Sequence, residues 1–107
     1  AASALNGQNF AFVGYLPQDA DERTQRIRTL ESLALKTGQT QLFIETPYRN
    51  AAMLQALLQT LQPATRLALA SGLTLESAHI RSQSVQQWRQ RPEAPDKHTP
   101  VVFALGR

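Results

Sequence analysis

Cysteine is absent from the 107 residues, and its absence excludes disulfides, thiolate nucleophiles and thiolate metal sites. Long apolar runs are missing too, since none approaches the roughly 20 residues that a membrane-spanning helix needs. The N-terminus has no basic segment ahead of a hydrophobic one, so no secretory leader is expected there. A soluble, cytoplasmic protein without a membrane partner is the expectation. The chain also has no glycine loop of the kind that cradles phosphate, no histidine pair at metal-ligating spacing and no serine at a nucleophile elbow. His79 and His98 stand apart from each other, and no metal site is expected. Asp19, Asp21 and Glu22 cluster, but at a helix start, where the dipole gives acids a sufficient reason to be. No self-sufficient catalytic site emerges, and no catalytic residue is assigned.

What remains is ordinary globular material. A hydrophobic share of 42% with 18% charged residues suits one packed domain. The net charge of +3 and a pI near 10.0 tilt the chain towards anionic partners. Residues 1–9 are small and polar and read as a linker.

The period of the apolar residues gives the elements. Residues 10–15 alternate aromatic and branched residues with small ones, as a buried strand does; Gly14 is expected to allow a close approach there. Asp19 to Glu22 open a helix with Ile27, Leu30, Leu33 and Ala34 on its apolar face, and Gly38 closes it. Arg23, Arg26 and Arg28 fall mostly away from that face, with a local pair expected between Glu22 and Arg26. Residues 41–44 form a second strand, and Met53, Leu54, Leu57, Leu58 and Leu61 make the core stripe of a second helix that Pro63 stops. Residues 66–70 and the more polar 77–83 read as a hairpin near a sheet edge, with Ala78 and Ile80 on one side. Ser84 caps a short helix bearing Val85 and Trp88, a proline-rich loop covers 91–96, and the unbroken apolar run from Val101 reads as a central strand. The order is βαβαββαβ, an α/β (α+β) fold with a mixed five-stranded sheet flanked by helices.

Polar chemistry gathers where the second strand ends, at Glu45, Thr46, Pro47, Tyr48 and Arg49. Thr46 before Pro47 reads as an N-cap with proline in the first helical turn. Strand ends that meet helix starts are where open sheets bind ligands. Glu45, an acid ending an apolar strand, needs solvent or a partner, and Arg49 one turn on is the obvious one; a corner-fixing pair and a ligand-facing role are both open.

Three segments carry a resemblance. FAFVGYLP at 10–17 is similar to an F-x-F-x-G-F-L-P strand, FIETPYR at 43–49 to F-Y-E-S-P-H-R, and TPVVFALG at 99–106 to a closing strand entered through a small residue and proline. Together they resemble the C-terminal half of the tetrapyrrole methylase superfamily of S-adenosylmethionine-dependent methyltransferases, in particular the branch containing the small-subunit ribosomal RNA 2′-O-methyltransferase. The resemblance implies a linker remnant at 1–8, a C-terminal methyltransferase domain at 9–107, and an N-terminal domain that is no part of this sequence and without which the chain is inactive. It implies S-adenosylmethionine as cofactor, contacted at Glu45, Thr46, Leu69, Ala70, Thr99 and Pro100, much of it through main chain, with Tyr48 and Arg49 in substrate or structural roles. The partners it implies are the missing domain, a ribosomal RNA substrate or, as an alternative, a tetrapyrrole, and a second copy in a homodimer. The chain departs from that branch at residues 70–76, where the branch's charged Arg, Glu and Lys are gone, and at Tyr48, where the branch has His. A non-enzymatic RNA- or protein-binding module that kept the fold is the competing reading of another class.

Overall fold

The computed structural model describes residues 10–71, 79–92 and 98–106. Its elements follow the expected order: β1 (Phe10–Tyr15), α1 (Ala20–Thr37), β2 (Thr40–Ile44), a 3-10 turn (Pro47–Arg49), α2 (Asn50–Thr60), β3 (Arg66–Ser71), β4 (His79–Ser84), α3 (Val85–Gln90) and β5 (Val101–Gly106). The linker expected at 1–8, Ala78, the altered segment beyond Ser71 and most of the proline-rich loop lie outside the described residues.

The strands form one mixed five-stranded sheet in the order β1-β2-β5-β3-β4. β1 and β2 are parallel, β5 runs antiparallel between β2 and β3, and β4 pairs antiparallel with β3 at the edge. The hairpin and the central last strand are therefore as the sequence pattern has them. Both strand-helix-strand units, β1-α1-β2 and β2-α2-β3, step the same way across the sheet. The right-handed rule for such crossovers puts their helices on one face, and α1 does pack against α2, β2 and β5.

One face of the sheet is consequently core and the other is open. Phe43, Leu67, Leu69, Val101, Phe103 and Leu105 are buried under the helices, with Met53, Leu54, Leu57, Val85 and Trp88 packed on them. Phe10, Phe12, Tyr15, Ile80 and Val102 are exposed on the opposite side. One expectation changes here. Residues 10–15 read as a buried strand, yet Phe12 and Tyr15 are 64% and 66% exposed, because no helix among the described residues covers their side. Val102 and Ile80, at 37% and 73% exposure, share that outward face.

Local signals set the element ends. Asp19 caps α1 by accepting from the Glu22 N–H at 3.0 Å, and Gly38 takes a left-handed φ of 77° while its N–H reaches the Ala34 carbonyl at 2.9 Å, the usual glycine stop. Ser84 and Gln87 form a reciprocal capping box on α3. Gly14 also has φ 77°, at a one-residue slip between Phe12 and Gly14 in the β1–β2 register. A Cβ on Gly14 would meet nothing within 4 Å, so no other backbone makes the close approach expected there, and the glycine serves the bulge. No helix among the described residues is long and apolar enough to cross a membrane.

The face of α1 is rotated from the expected one. Ile27, Leu30, Glu31 and Ala34 are buried, while Leu33 is 40% exposed. At about 100° per residue, Leu33 points about 110° from the centre of that face. Glu31 takes its place because its carboxylate has work in the interior: Oε2 accepts from the Gln62 N–H at 2.8 Å and from the Thr65 hydroxyl. The same turn is held by Val85 N–H to the Thr65 carbonyl at 2.8 Å and Gln86 N–H to the Pro63 carbonyl at 3.0 Å. One carboxylate thus ties α1 to the turn between α2 and β3, from which α3 also hangs.

Removing that carboxylate strands a buried hydroxyl and a buried N–H, so Glu31→Ala is expected to lower the unfolding free energy by about 2–3 kcal/mol. Leu33→Ala is expected to cost less than about 1 kcal/mol. Urea unfolding followed by the fluorescence of Trp88, the only tryptophan, measures both, and equal losses would return Leu33 to the buried face.

Candidate functional site

β1, β2 and β3 run one way and β4 and β5 the other. The carboxyl ends of the first three strands and the amino ends of the last two therefore share one end of the sheet. A single register row crosses all five strands there: Tyr15, Ile44, Val102, Ala70 and Ile80. One step beyond it lie Leu16, Glu45, Val101, Ser71 and His79, and beyond these Thr46 and Pro100. Glu45, Thr46, Ala70, Thr99 and Pro100, chosen from three separate stretches of sequence, are brought to this one end. Leu69 sits a row further in, opposite Phe103, with its side chain committed to the core.

The corner after β2 is built differently from its expected form. Thr46 is in the N-cap position with extended φ and ψ of −62° and 135°, but its side chain makes no capping bond. Its carbonyl instead accepts from the Arg49 N–H at 2.7 Å, which uses the donor a capping hydroxyl would have taken. Pro47 brings no N–H of its own, so the chain makes one 3-10 turn at Pro47–Arg49 before α2 begins. The expected direct passage from strand to α-helix is thus interrupted by that turn.

Glu45 is buried, and its Oε1 accepts from the N–H of Thr46 at 2.7 Å. The carboxylate therefore folds back on its own chain, and the expected pairing with Arg49 is not formed. Arg49 instead lies with its guanidinium carbon 5.2 Å from the centre of the Tyr48 ring, a cation–π contact. Tyr48 is exposed and Arg49 half-buried, so this pair stands on the surface beside the corner.

Asn50, the first residue of α2, was absent from the sequence expectations. It is fully buried, and its Nδ2 donates to the Thr99 carbonyl at 3.0 Å. The corner after β2 is thereby bonded to the lead-in of β5. A signal for it exists in the sequence: Asn50, Met53, Leu54 and Leu57 share one helical stripe, and an amide there is out of place among apolar side chains.

Glu45, Thr46, Thr99 and Pro100 all lie past the last paired residues of β2 and β5. The Thr46 N–H and carbonyl and the Thr99 carbonyl are bonded within the protein, so the corner is a pre-ordered polar edge over an apolar sheet end. It offers no paired acid and base. Among the described residues no cluster of His, Asp and Glu could hold a metal ion. Two grooves elsewhere, about 540 Å³ between α1 and the end of α2 and about 520 Å³ between α2 and Arg89, are lined by none of these residues. Among the described residues the strand ends form a wall.

No family model matches the chain, and no curated protein sequence matches it. Solved structures do share its fold. The methyltransferase CobJ aligns with 100% of this chain at a TM-score of 0.60 and 17% identity. A uroporphyrin-III C-methyl transferase from Thermus thermophilus, complexed with S-adenyl homocysteine, aligns with 94% at a TM-score of 0.54 and 13% identity. The chain spans 46% and 42% of the length of those two proteins. The likeness establishes the fold: a mixed five-stranded α+β domain of the kind found in these methyltransferases.

The geometry separates Glu45 from Arg49. Glu45→Ala leaves the Thr46 N–H without its acceptor and is expected to cost about 1–2 kcal/mol in urea unfolding. Arg49→Ala, losing one surface contact with Tyr48, is expected to cost under about 1 kcal/mol. A strong, non-additive coupling in the double mutant would restore a direct pair between them.

Proposed function

We propose that this chain is the C-terminal half of an S-adenosylmethionine-dependent methyltransferase whose substrate is a tetrapyrrole. One observation carries the reading: five strands bring Glu45, Thr46, Ala70, Thr99 and Pro100 to a single sheet end, in a fold that matches a methyltransferase along the whole chain. The coverage of less than half of each neighbour fits a wall that needs a second domain to become a cleft.

S-adenosylmethionine supplies a methyl group activated on a sulfonium. Glu45, Thr46, Thr99 and Pro100 would line such a ligand at the strand end, with Ala70 beside them; Leu69 has its side chain in the core and its backbone inside the β3 ladder. Methyl transfer asks chiefly for in-line positioning of a substrate nucleophile, so a wall without a nucleophile or a base is compatible with it. The task of these residues is to bind and orient; the opposite wall belongs to the missing first half of the protein, which is the first partner of this chain. A second copy is the other partner in this reading.

Arg49 and Tyr48 stand beside the corner on the surface. A guanidinium there suits the carboxylates that fringe a tetrapyrrole, and the net charge of +3 favours the same sign of substrate. A second reading, ribosomal RNA 2′-O-methylation, has FVGYLP and FIETPYR in its favour. The solved neighbours, one of them a uroporphyrin-III C-methyl transferase, support the tetrapyrrole instead, as do the charges missing from residues 70–76.

Calorimetry with S-adenosylhomocysteine on the full-length protein is expected to give saturable one-to-one binding. Absence of binding would leave a non-enzymatic module with this fold. Labelled methyl transfer to uroporphyrinogen, run beside unmodified ribosomal RNA, decides the substrate: label on the tetrapyrrole alone is expected, and label on RNA alone overturns the choice. Arg49→Ala is expected to raise the KM for tetrapyrrole by about tenfold, the scale of one charge-assisted contact.

A further inference from the structure

We infer that Asn50 is a positioning residue for the strand-end wall, acting through the Thr99 carbonyl; this rests on the methyltransferase reading. Asn50 has 0% exposure and stands in the stripe that buries Met53, Leu54 and Leu57. Its Nδ2 donates to Thr99 across 49 residues of sequence. Its Oδ1 is buried with no hydrogen-bond partner among the described residues. Stability is a weak account of that amide, because the bond to Thr99 is offset by the buried acceptor left unpaired, whereas a leucine would remove both and leave only the carbonyl of half-buried Thr99 to be met by solvent.

What the amide does is fix a peptide plane. Thr99 and Pro100 precede the first ladder residue of β5, Val101, so no strand pairing orients them. Pro100 has a locked φ and no N–H, and the residue before a proline is confined to extended conformations. The segment is thus stiff but has to be aimed. The Thr99 carbonyl and the Pro100 nitrogen lie in one planar peptide unit, so holding the oxygen sets the direction in which Pro100 leaves it. The hold comes from the residue that directly follows the Glu45–Arg49 corner, which couples the two halves of the wall to each other. Asn50 touches no ligand in this account; it sets the spacing of the groups that do.

The test uses full-length protein with Asn50→Leu, which removes donor and orphan acceptor together, and Asn50→Ala, which removes them without adding bulk or charge. Both variants are expected to bind S-adenosylhomocysteine five- to tenfold more weakly by calorimetry, the scale of one lost hydrogen bond. Asn50→Leu is expected to do so with a melting temperature close to that of the wild type, and with a raised KM for S-adenosylmethionine while kcat stays within about twofold. If Asn50→Leu does not fold, Asn50→Ala carries the measurement. Wild-type affinity in a folded variant overturns the inference alone. A wild-type protein that binds no S-adenosylhomocysteine overturns the methyltransferase reading and the inference with it.

Discussion

The insertion of β5 between β2 and β3 is the constraint on which the molecule depends. Phe103 stacks on Phe43 with ring centroids 5.5 Å apart and planes within 5°, and Leu105 and Val101 extend that buried row. Until the last strand arrives, β2 and β3 have no common neighbour and the sheet is two fragments. Its antiparallel direction matters as much as its position. A parallel β5 would present its carboxyl end beside those of β2 and β3; the reversed one brings Thr99 and Pro100, a stiff turn-forming pair, to the same place. The wall of the site is therefore a consequence of closing the core.

Holding this arrangement are a few polar bonds at opposite ends of the sheet. Glu31 fixes the turn from which β3 starts, Trp88 donates its indole N–H to the Leu67 carbonyl at 2.8 Å, and Arg89 covers the end of α2 by donating to the Leu58 and Leu61 carbonyls at 2.8 and 2.7 Å. At the other end Glu45 and Asn50 do the corresponding work. Glu31, Arg89, Glu45 and Asn50 each meet backbone beyond a strand end or at a helix end, while Trp88 adds to a carbonyl inside the β3 ladder. The apolar residues supply the driving force, and these groups decide which of several similar packings is kept.

That division explains what could be read in advance. Element types and order were legible because Phe10 to Tyr15, Ile27 to Ala34 and Met53 to Leu61 carry clean periods, and because Asp19, Gly38 and Ser84 mark ends with a local mechanism. The edge hairpin and central last strand were legible from polarity. Leu33 misled because leucine counts as apolar wherever it falls, while Glu31 was passed over because a carboxylate counts as surface until a distant turn supplies donors for it. Asn50 was hidden for the same reason: its partner is 49 residues away. The outward face of β1 was hidden because a run such as Phe10 to Tyr15 does not state how many faces the helices will cover. The candidate wall was found through resemblance to motifs, and its geometry then came from sheet order, which a single sequence does not encode locally.

On the proposed reading, the wall and its neighbours also divide the labour of recognition. In that proposal Glu45, Thr46, Thr99 and Pro100 line the cofactor. Identity as low as 17% with a TM-score of 0.60 shows how little sequence the fold requires, namely a core pattern of apolar residues. Substrate choice falls instead to side chains on the rim, where Tyr48 and Arg49 are held by a single surface contact and can change without disturbing the core. In the methyltransferase proposed above, specificity would thus rest on exposed Tyr48, half-buried Arg49 and the half of the protein that faces them.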